Sequence, residues 1–267
     1  MLEKVEVFDV EESLVDDLVY VCSHRLLKDP LHMMGVKLKR EWFLRMLKEY
    51  GPCAKVAYLY GKPVAQLLFY PEEADPSGPR RSGVVRVNCV YNPFPWAQKM
   101  GAARLLVESL VEDAKKGLPC LGGRPCRFLA VHAFDTGEYY PQSAFFRRMG
   151  FRHAPGCGPN DLYLEVSGRF EPPPSYEYRF KPEDLGRAYI VYGEECQFGY
   201  PFAVQMSRLI RSLKPDVETV LIDRWKMAEE AKRLGLEGLV VNGKPIKSFI
   251  TDREAFIREL KEALHVR

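Results

Sequence analysis

Apolar positions in the first 168 residues recur with two different periods, which predict a mixed α and β region. Alternating apolar residues predict strands at 5–10, 54–60, 64–70, 84–91, 128–133 and 162–166. Apolar residues at helical spacing predict helices through 14–22, 43–50, 103–114 and 142–149. Gly61-Lys62 joins the second and third strands as a hairpin. The predicted order is β-α-α-β-β-β-α-β-α-β.

A proline-rich segment interrupts this pattern. Pro172-Pro173-Pro174 cannot continue a helix or a central strand, and it favours a stiff, extended connector. We therefore expect a first domain of residues 1–168, a linker of residues 169–185 and a second domain of residues 186–267.

The second domain shows its own alternation of periods. Strands are predicted at 188–192, 219–223, 239–241 and 246–250, and helices at 202–213, 227–234 and 253–264. Asn242-Gly243 lies between two apolar runs and predicts a tight hairpin turn. The resulting order, β-α-β-α-β-β-α, suits one small sheet with helices on its faces.

Charge and composition narrow the class of protein. Lys and Arg number 39 against 36 Asp and Glu, an excess too slight for a nucleic-acid partner. No apolar stretch approaches the ~20 residues of a membrane span, and the charged start of the chain is unlike an export signal. Seven scattered cysteines without a Cys-x-x-Cys pair fit a reducing compartment better than a disulfide framework or a zinc site. We expect a cytoplasmic protein without a metal.

A run of small residues opens the most amphipathic helix of the first domain. Gln98-Lys99-Met100-Gly101-Ala102-Ala103 follows the strand at 84–91. Small side chains let the backbone approach a ligand, and the free amides and dipole of a helix N-terminus favour phosphate. Tight packing of the helix on the sheet at Gly101 explains the same residues equally well.

Two motifs together resemble the GNAT N-acetyltransferase family. Gln98, Gly101 and Ala103 match the family's Arg/Gln-x-x-Gly-x-Gly/Ala pyrophosphate loop, and residues 144–151 resemble the short helix beside the pantetheine arm. The element order also matches over residues 1 to about 167. The resemblance implies an α+β fold, with a mixed, mostly antiparallel sheet and helices on both faces. It also implies acetyl-CoA as cosubstrate and acetyl transfer to an amine by direct attack in a ternary complex.

The same resemblance implies a set of site residues. Main-chain groups near the end of the fourth strand would bond the pantetheine and the thioester, where a backbone amide stabilises the oxyanion. The acceptor, a small-molecule or peptide amine, would lie in a groove lined by the first two helices and their loop, which includes residues 29–34. The implied cofactor-binding residues are Cys89, Val90, Tyr91, Gln98, Lys99, Met100, Gly101, Ala102, Ala103 and Phe146.

The chain departs from the family at the positions that carry acid and base. Phe146 stands where many members have a general-acid Tyr, and the strand at 84–90 lacks the Glu that often acts as base. A non-catalytic CoA-binding or sensing protein is therefore the alternative to an acetyltransferase.

Several other residues are candidates for the missing acid and base. Tyr139 and Tyr140 read more simply as aromatic packing at a helix entry, and His132 as a packed neutral histidine in a strand. The full set of candidates is Cys89, His132, Asp135, Glu138, Tyr139, Tyr140 and Cys196.

The second domain resembles a thioredoxin-like fold. Residues 192–201 lie between a strand and a helix, and an Asn-Gly turn and a final amphipathic helix follow. Taken with the first domain, the arrangement resembles acetyltransferases that carry a YoaP-like C-terminal domain.

The redox motif of that fold is degraded. Cys196 is followed by Gly199 where a resolving cysteine would stand, and Glu194 and Glu195 place like charge beside a thiolate. Pro201 predicts that the helix begins after it, which would keep Cys196 away from the helix dipole. Dithiol chemistry is thus disfavoured, while a structural or acceptor-binding role and single-thiol redox chemistry at Cys196 both stay open.

Overall fold

The computed structural model describes residues 5–134, 140–236, 238–248 and 252–266. The chain forms two compact units. The first comprises Met1–Leu27 and Arg40–Pro173, and the second comprises Lys28–Lys39 and Pro174–Arg267. Within the described residues, no helix combines the length and the apolar composition that crossing a bilayer requires.

The first unit contains the predicted order of elements, with one short strand added near its end. Its described elements are β1 (Glu6–Asp9), α1 (Val15–Ser23), α2 (Pro30–Tyr50), β2 (Ala54–Leu59), β3 (Lys62–Pro71), β4 (Val84–Tyr91), α3 (Ala102–Lys116), β5 (Phe128–His132), α4 (Gln142–Arg148), β6 (Arg152–His153) and β7 (Asp161–Glu165). The strands form one sheet in the order β1-β2-β3-β4-β5-β7-β6. β4 and β5 run parallel, and the other neighbouring strands run antiparallel. The predicted mixed, mostly antiparallel sheet is confirmed.

Helices cover both faces of this sheet. Tyr70 and Lys55 lie on opposite faces, because Lys55 pairs with Leu67 and side chains alternate along β3. Trp42 of α2 packs against Tyr70 with ring centroids 5.9 Å apart, whereas Lys55 Nζ lies 2.5 Å from Asp113 Oδ2 of α3. We call these the α2 face and the α3 face.

The second unit also follows its predicted order. Its described elements after residue 174 are β8 (Arg187–Tyr192), α5 (Gly199–Leu213), β9 (Glu218–Asp223), α6 (Ala228–Arg233), β10 (Leu239–Val241), β11 (Lys244–Pro245) and α7 (Arg253–Leu264). Their sheet order is β11-β10-β8-β9, with β8 and β9 parallel and the other pairs antiparallel. β11 immediately follows the Asn242-Gly243 turn, earlier than the strand expected at 246–250, of which residues 249–250 lie outside the described residues.

The start of α2 belongs to the second unit and corrects the expected loop at 29–34. Asp29 caps the helix, because its Oδ1 accepts from the amides of Leu31 and His32 at 2.9 and 3.2 Å. Pro30 then takes the first helical position, where its missing N–H is harmless. Gly35 lets the start of α2 lie close to the main chain of Gln197, since a Cβ at residue 35 would be 2.0 Å from the Gln197 carbonyl oxygen.

Both ends of the expected linker, 169–185, pack on neighbouring residues. Phe170 lies against Tyr163, with ring centroids 4.3 Å apart, in the first unit. In the second unit, Arg233 Nη1 donates to Asp184 Oδ2 at 2.9 Å, and Tyr178 donates to the same oxygen at 2.6 Å. The chain divides between Pro173 and Pro174, within the three prolines.

Candidate functional site

β4 pairs with β5 over only its first half, and we call the side of residues 88–91 that faces away from β3 the opening between β4 and β5. The parallel pairing runs from Val84–Phe128 to Val87–Val131, and among the described residues β4 then pairs with β3 alone. A bulge at Asn88 separates the two parts, because Leu68 pairs with Cys89 and Phe69 with Val87. The main chain of residues 88–91 therefore forms one edge of the opening.

Val90 directs its main-chain groups into this opening. Gln142 Nε2 of α4 donates to the carbonyl oxygen of Val90 at 3.4 Å, on the side of β4 away from β3. In an antiparallel pair, the N–H and C=O of one residue point to the same side, so the Val90 amide faces the opening as well. Gln142 Oε1 is buried and has no hydrogen-bond partner among the described residues. An amide donor and a buried acceptor thus lie at one place.

The loop before α3 has the backbone shape of an anion site. Gly101, the N-cap of α3, has φ of +88°, and no side chain caps the helix. A Cβ at Gly101 would meet no atom within 4 Å, so tight helix–sheet packing does not explain this glycine. The first amides of α3 have no intrahelical acceptor and lie at the positive end of its dipole.

Gln98 holds this loop in place instead of extending from it. Its Nε2 donates to the carbonyl oxygen of Asn92 at 3.3 Å, and Asn92 Nδ2 donates to Ala97 O at 3.1 Å. Lys99 and Met100 are exposed beside Gly101, so Lys99 supplies a cation at the loop. Among the small residues that follow, Ala102 is buried and Ala103 is half-buried.

Two of the expected site side chains are held by contacts with neighbouring residues of the first unit. Phe146 is fully buried, with ring centroids 5.0 Å from Phe151 and 5.3 Å from Phe145, so its ring offers no surface to a ligand. Its assignment to the cofactor site stays a prediction. Tyr140 is half-exposed, and the guanidinium of Arg148 lies 4.9 Å from its ring centroid. Asp135, Glu138 and Tyr139 lie outside the described residues.

Gln66 is a polar residue that the sequence analysis missed. It is fully buried in β3, and its Nε2 lies 2.9 Å from the sulfur of Cys89. Its Oε1 has no partner among the described residues. Since amide oxygen and nitrogen are assigned from such contacts, either orientation leaves one polar end of Gln66 unpaired. The signal in the sequence is a single glutamine inside the apolar run 64–70.

His132 is half-exposed and paired with a carboxylate, whereas we expected a histidine packed within its strand. Its side chain is 48% exposed, and its Nδ1 lies 2.8 Å from Asp161 Oδ1. Burial would raise the pKa of Asp161, but the hydrogen bond and charge of His132, the amide of Gly158 and the charge of Arg86 outweigh burial and lower it. Asp161 therefore stays ionised, and it holds the ring of His132.

In the second unit, Cys196 lies in a tight turn ahead of α5. The amide of Gly199 donates to Cys196 O at 2.9 Å, and α5 begins at Gly199, two residues before Pro201. Cys196 is therefore closer to the helix start than we expected, because proline is tolerated within a first turn.

The two glutamates beside Cys196 each form an ion pair with a basic side chain. Glu194 lies 2.7 Å from Lys226 Nζ, and Glu195 lies 2.5 Å from Arg224 Nη2. Both carboxylates are buried in these ion pairs. Because Lys226 also lies 3.0 Å from Asp223 Oδ2, these two cations face three carboxylates, and they weaken the repulsion of a thiolate at Cys196 without removing it.

No group of three His, Cys, Asp or Glu side chains within the described parts of the chain is arranged to hold a metal ion.

The sequence matches no protein-family model and no curated protein. Solved structures of acetyltransferases are similar to it. A GNAT family acetyltransferase from Brucella melitensis, in complex with acetyl-CoA, is 15% identical, with 64% of this chain and 91% of that chain covered and a TM-score of 0.39. An N-acetyltransferase from Staphylococcus aureus is 12% identical, with 61% and 98% covered and a TM-score of 0.42. The ribosomal-protein-S18-alanine N-acetyltransferase of Escherichia coli is 14% identical, with 63% and 97% covered and a TM-score of 0.39.

Proposed function

We propose that the first unit binds acetyl-CoA and transfers its acetyl group to an amine by direct attack in a ternary complex. One observation carries the proposal. The opening between β4 and β5 presents the Val90 amide, and the uncapped start of α3, at its N-cap Gly101, follows eleven residues further along the chain. Acyl transfer from a CoA thioester needs both an amide donor for the oxyanion and a cradle for pyrophosphate.

The residues present fit these two tasks. The open space at Gly101 leaves room for phosphate oxygens against the amides of Ala102 and Ala103, and Lys99 adds positive charge. Gln142 Oε1, buried without a partner, accepts one N–H from the pantetheine arm. The amine nitrogen attacks the thioester carbon while the Val90 amide stabilises the oxyanion. The C–N bond forms, the C–S bond breaks, and the amine proton balances the charge of the CoA thiolate.

The second unit has a separate role in this proposal. The sheet order β9-β8-β10-β11, with β8 parallel to β9 and β10 antiparallel to β8, supports a thioredoxin-like fold. We assign this unit to binding a small-molecule or peptide acceptor, and we place the protein in the reducing cytoplasm on the odd number and the scatter of its seven cysteines.

Calorimetric titration with acetyl-CoA, and with free CoA, tests the cofactor site. Gly101→Asn and Gly101→Asp form a matched pair, because both side chains tolerate the left-handed backbone and they differ by one charge. A carboxylate about 5 Å from a phosphate charge at an effective dielectric of ~20 costs about 3 kcal/mol, more than a hundredfold in affinity. We expect Gly101→Asn to bind and Gly101→Asp not to bind. A wild-type protein that binds neither compound would refute the proposal.

A second candidate function is CoA binding without catalysis. The buried Phe146 favours it, because no hydroxyl is present at the position where many GNAT enzymes protonate the thiolate. It predicts CoA binding with no release of CoA thiol in the presence of a peptide amine, a lysine ester or a polyamine. Steady thiol release with any of these amines excludes it.

A further inference from the structure

His132 lies at the edge of the opening between β4 and β5. It is the first residue of β5 after the last parallel pair, Val87–Val131. Tyr70 is on the α2 face and pairs with Arg86, which in turn pairs with Ala130. His132 follows Ala130 by two residues in β5, so it lies on the α2 face with its partner Asp161. Cys89 is on that face too, because it pairs with Leu68. The half-exposed imidazole therefore lies beside the opening, on the face opposite α3.

Asp161 fixes which ring nitrogen of His132 carries a proton. Its carboxylate accepts a hydrogen bond from Nδ1, so in the neutral form of the ring the lone pair is on Nε2. Asp161 is held in turn by the amide of Gly158, which donates to its other oxygen at 2.9 Å. A carboxylate that orients an imidazole and stabilises its charged form is the arrangement used for general bases.

We infer that His132 is the general base for the acceptor amine, with Asp161 as its positioning residue. This rests on the proposed acetyl transfer. Nε2 takes the proton that the amine loses as its nitrogen bonds to the thioester carbon. The imidazolium then returns that proton to the CoA thiolate as the C–S bond breaks. The overall products are the amide and CoA thiol, and His132 ends neutral.

The competing groups near the opening are less suited to this step. The sulfur of Cys89 already lies 2.9 Å from the Gln66 amide, and the ring of Tyr140 lies beneath the guanidinium of Arg148. A cation over a phenol holds it in place without providing a base.

Bromoacetyl-CoA tests the inference without an identified acceptor. Bound with its acyl group in the opening, it alkylates a nearby nucleophile: the bond from Nε2 to the methylene carbon forms as bromide leaves. The experiment uses a Cys89→Ser background, so that the thiol does not compete with the imidazole, and maps the adduct by mass spectrometry. We expect modification of His132 that excess acetyl-CoA prevents. His132→Asn should abolish it, and Asp161→Asn should slow it by about tenfold or more, because the ring loses its fixed tautomer.

His265 provides a matched control. It is exposed at the C-cap of α7, in the second unit, so His265→Asn should leave the labelling unchanged. Two results would overturn the inference while the proposed function stands. Either the protein binds acetyl-CoA but is labelled only at other residues, or His132→Asn leaves the labelling unchanged. Failure to bind acetyl-CoA at all refutes the proposed function itself. With an acceptor in hand, His132→Gln should lower kcat by about a hundredfold or more and leave the KM for acetyl-CoA unchanged.

Discussion

Replacing Gln66 by methionine should make the first unit more stable. The wild-type side chain is fully buried, and one polar end of its amide is unpaired. Methionine is unbranched and of similar length, so it fills the same space without a group that needs a partner. A substitution at a buried, well-packed position ordinarily destabilises a protein, which makes the expected sign informative.

The magnitude follows from two opposing contributions. An unsatisfied buried polar atom costs about 1–3 kcal/mol, and Gln66→Met removes that penalty. The same change loses the contact between the Gln66 amide and the Cys89 sulfur, for which a typical net hydrogen bond of about 0.5–1 kcal/mol is an upper estimate. The centres of these two ranges leave a net gain of about 1 kcal/mol. At about 2–4 °C per kcal/mol, the first unit should melt several degrees higher.

The assay must report the first unit alone, because a chain of two compact units need not unfold in one step. Hydrogen exchange of the β3 amides in increasing urea measures that local free energy of unfolding. Leu68→Met is the matched control: it alters a buried residue on the same face of β3, has no polar atom to relieve and should destabilise by under about 1.5 kcal/mol. A Gln66→Met protein that is less stable than the wild type would show that both ends of the amide are satisfied.

Two further predictions concern the second unit. Gly35→Ala should destabilise it by about 1–3 kcal/mol, because the new Cβ meets the Gln197 carbonyl oxygen. Gly238→Ala is the control and should change the stability little, because no atom lies within 4 Å of its Cβ. Hydrogen exchange of the α5 amides measures the stability of both variants. Burial, partly opposed by the charge of Asp29, lowers the pKa of His32, so the unfolded chain takes up the proton first and stability falls as the pH drops below about 6.5. Urea unfolding between about pH 7 and pH 5 should show this loss and His32→Gln should abolish it; an equal slope in both proteins would contradict the assignment to His32.

Periodic patterns predicted most elements of both units, because an amphipathic helix or half-buried strand carries its period in its own residues. The start of α2 was missed for a local reason. Asp29-Pro30 is an N-cap followed by a favoured first helical residue, but the stripe that the next turns bury carries no apolar period, because it consists of His32, Gly35, Val36 and Lys39. The two-residue strand β6 was also missed, since it is too short to show alternation.

The candidate site was only partly predictable for a different reason. The loop around Gly101 and the end of β4 are contiguous segments, so spacing alone identified them. The pair His132–Asp161 spans 29 residues, and the contact between Gln66 and Cys89 spans 23. Such pairs depend on the register between β5 and β7 and between β3 and β4, and no single segment encodes that register. The bulge at Asn88 shifts the register between β3 and β4.

The second unit is assembled from two stretches of chain that are made at different times. Lys28–Lys39 is synthesised about 135 residues before Pro174, where the rest of the unit begins. At roughly 5–20 residues per second, the turn that includes Gly35 waits on the order of ten seconds or more for Gln197 to be made. During translation, the first unit therefore folds before the first turns of α2 meet the residues after Pro174 that they pack against. A fragment that ends at Pro173 would keep that unfinished helix permanently.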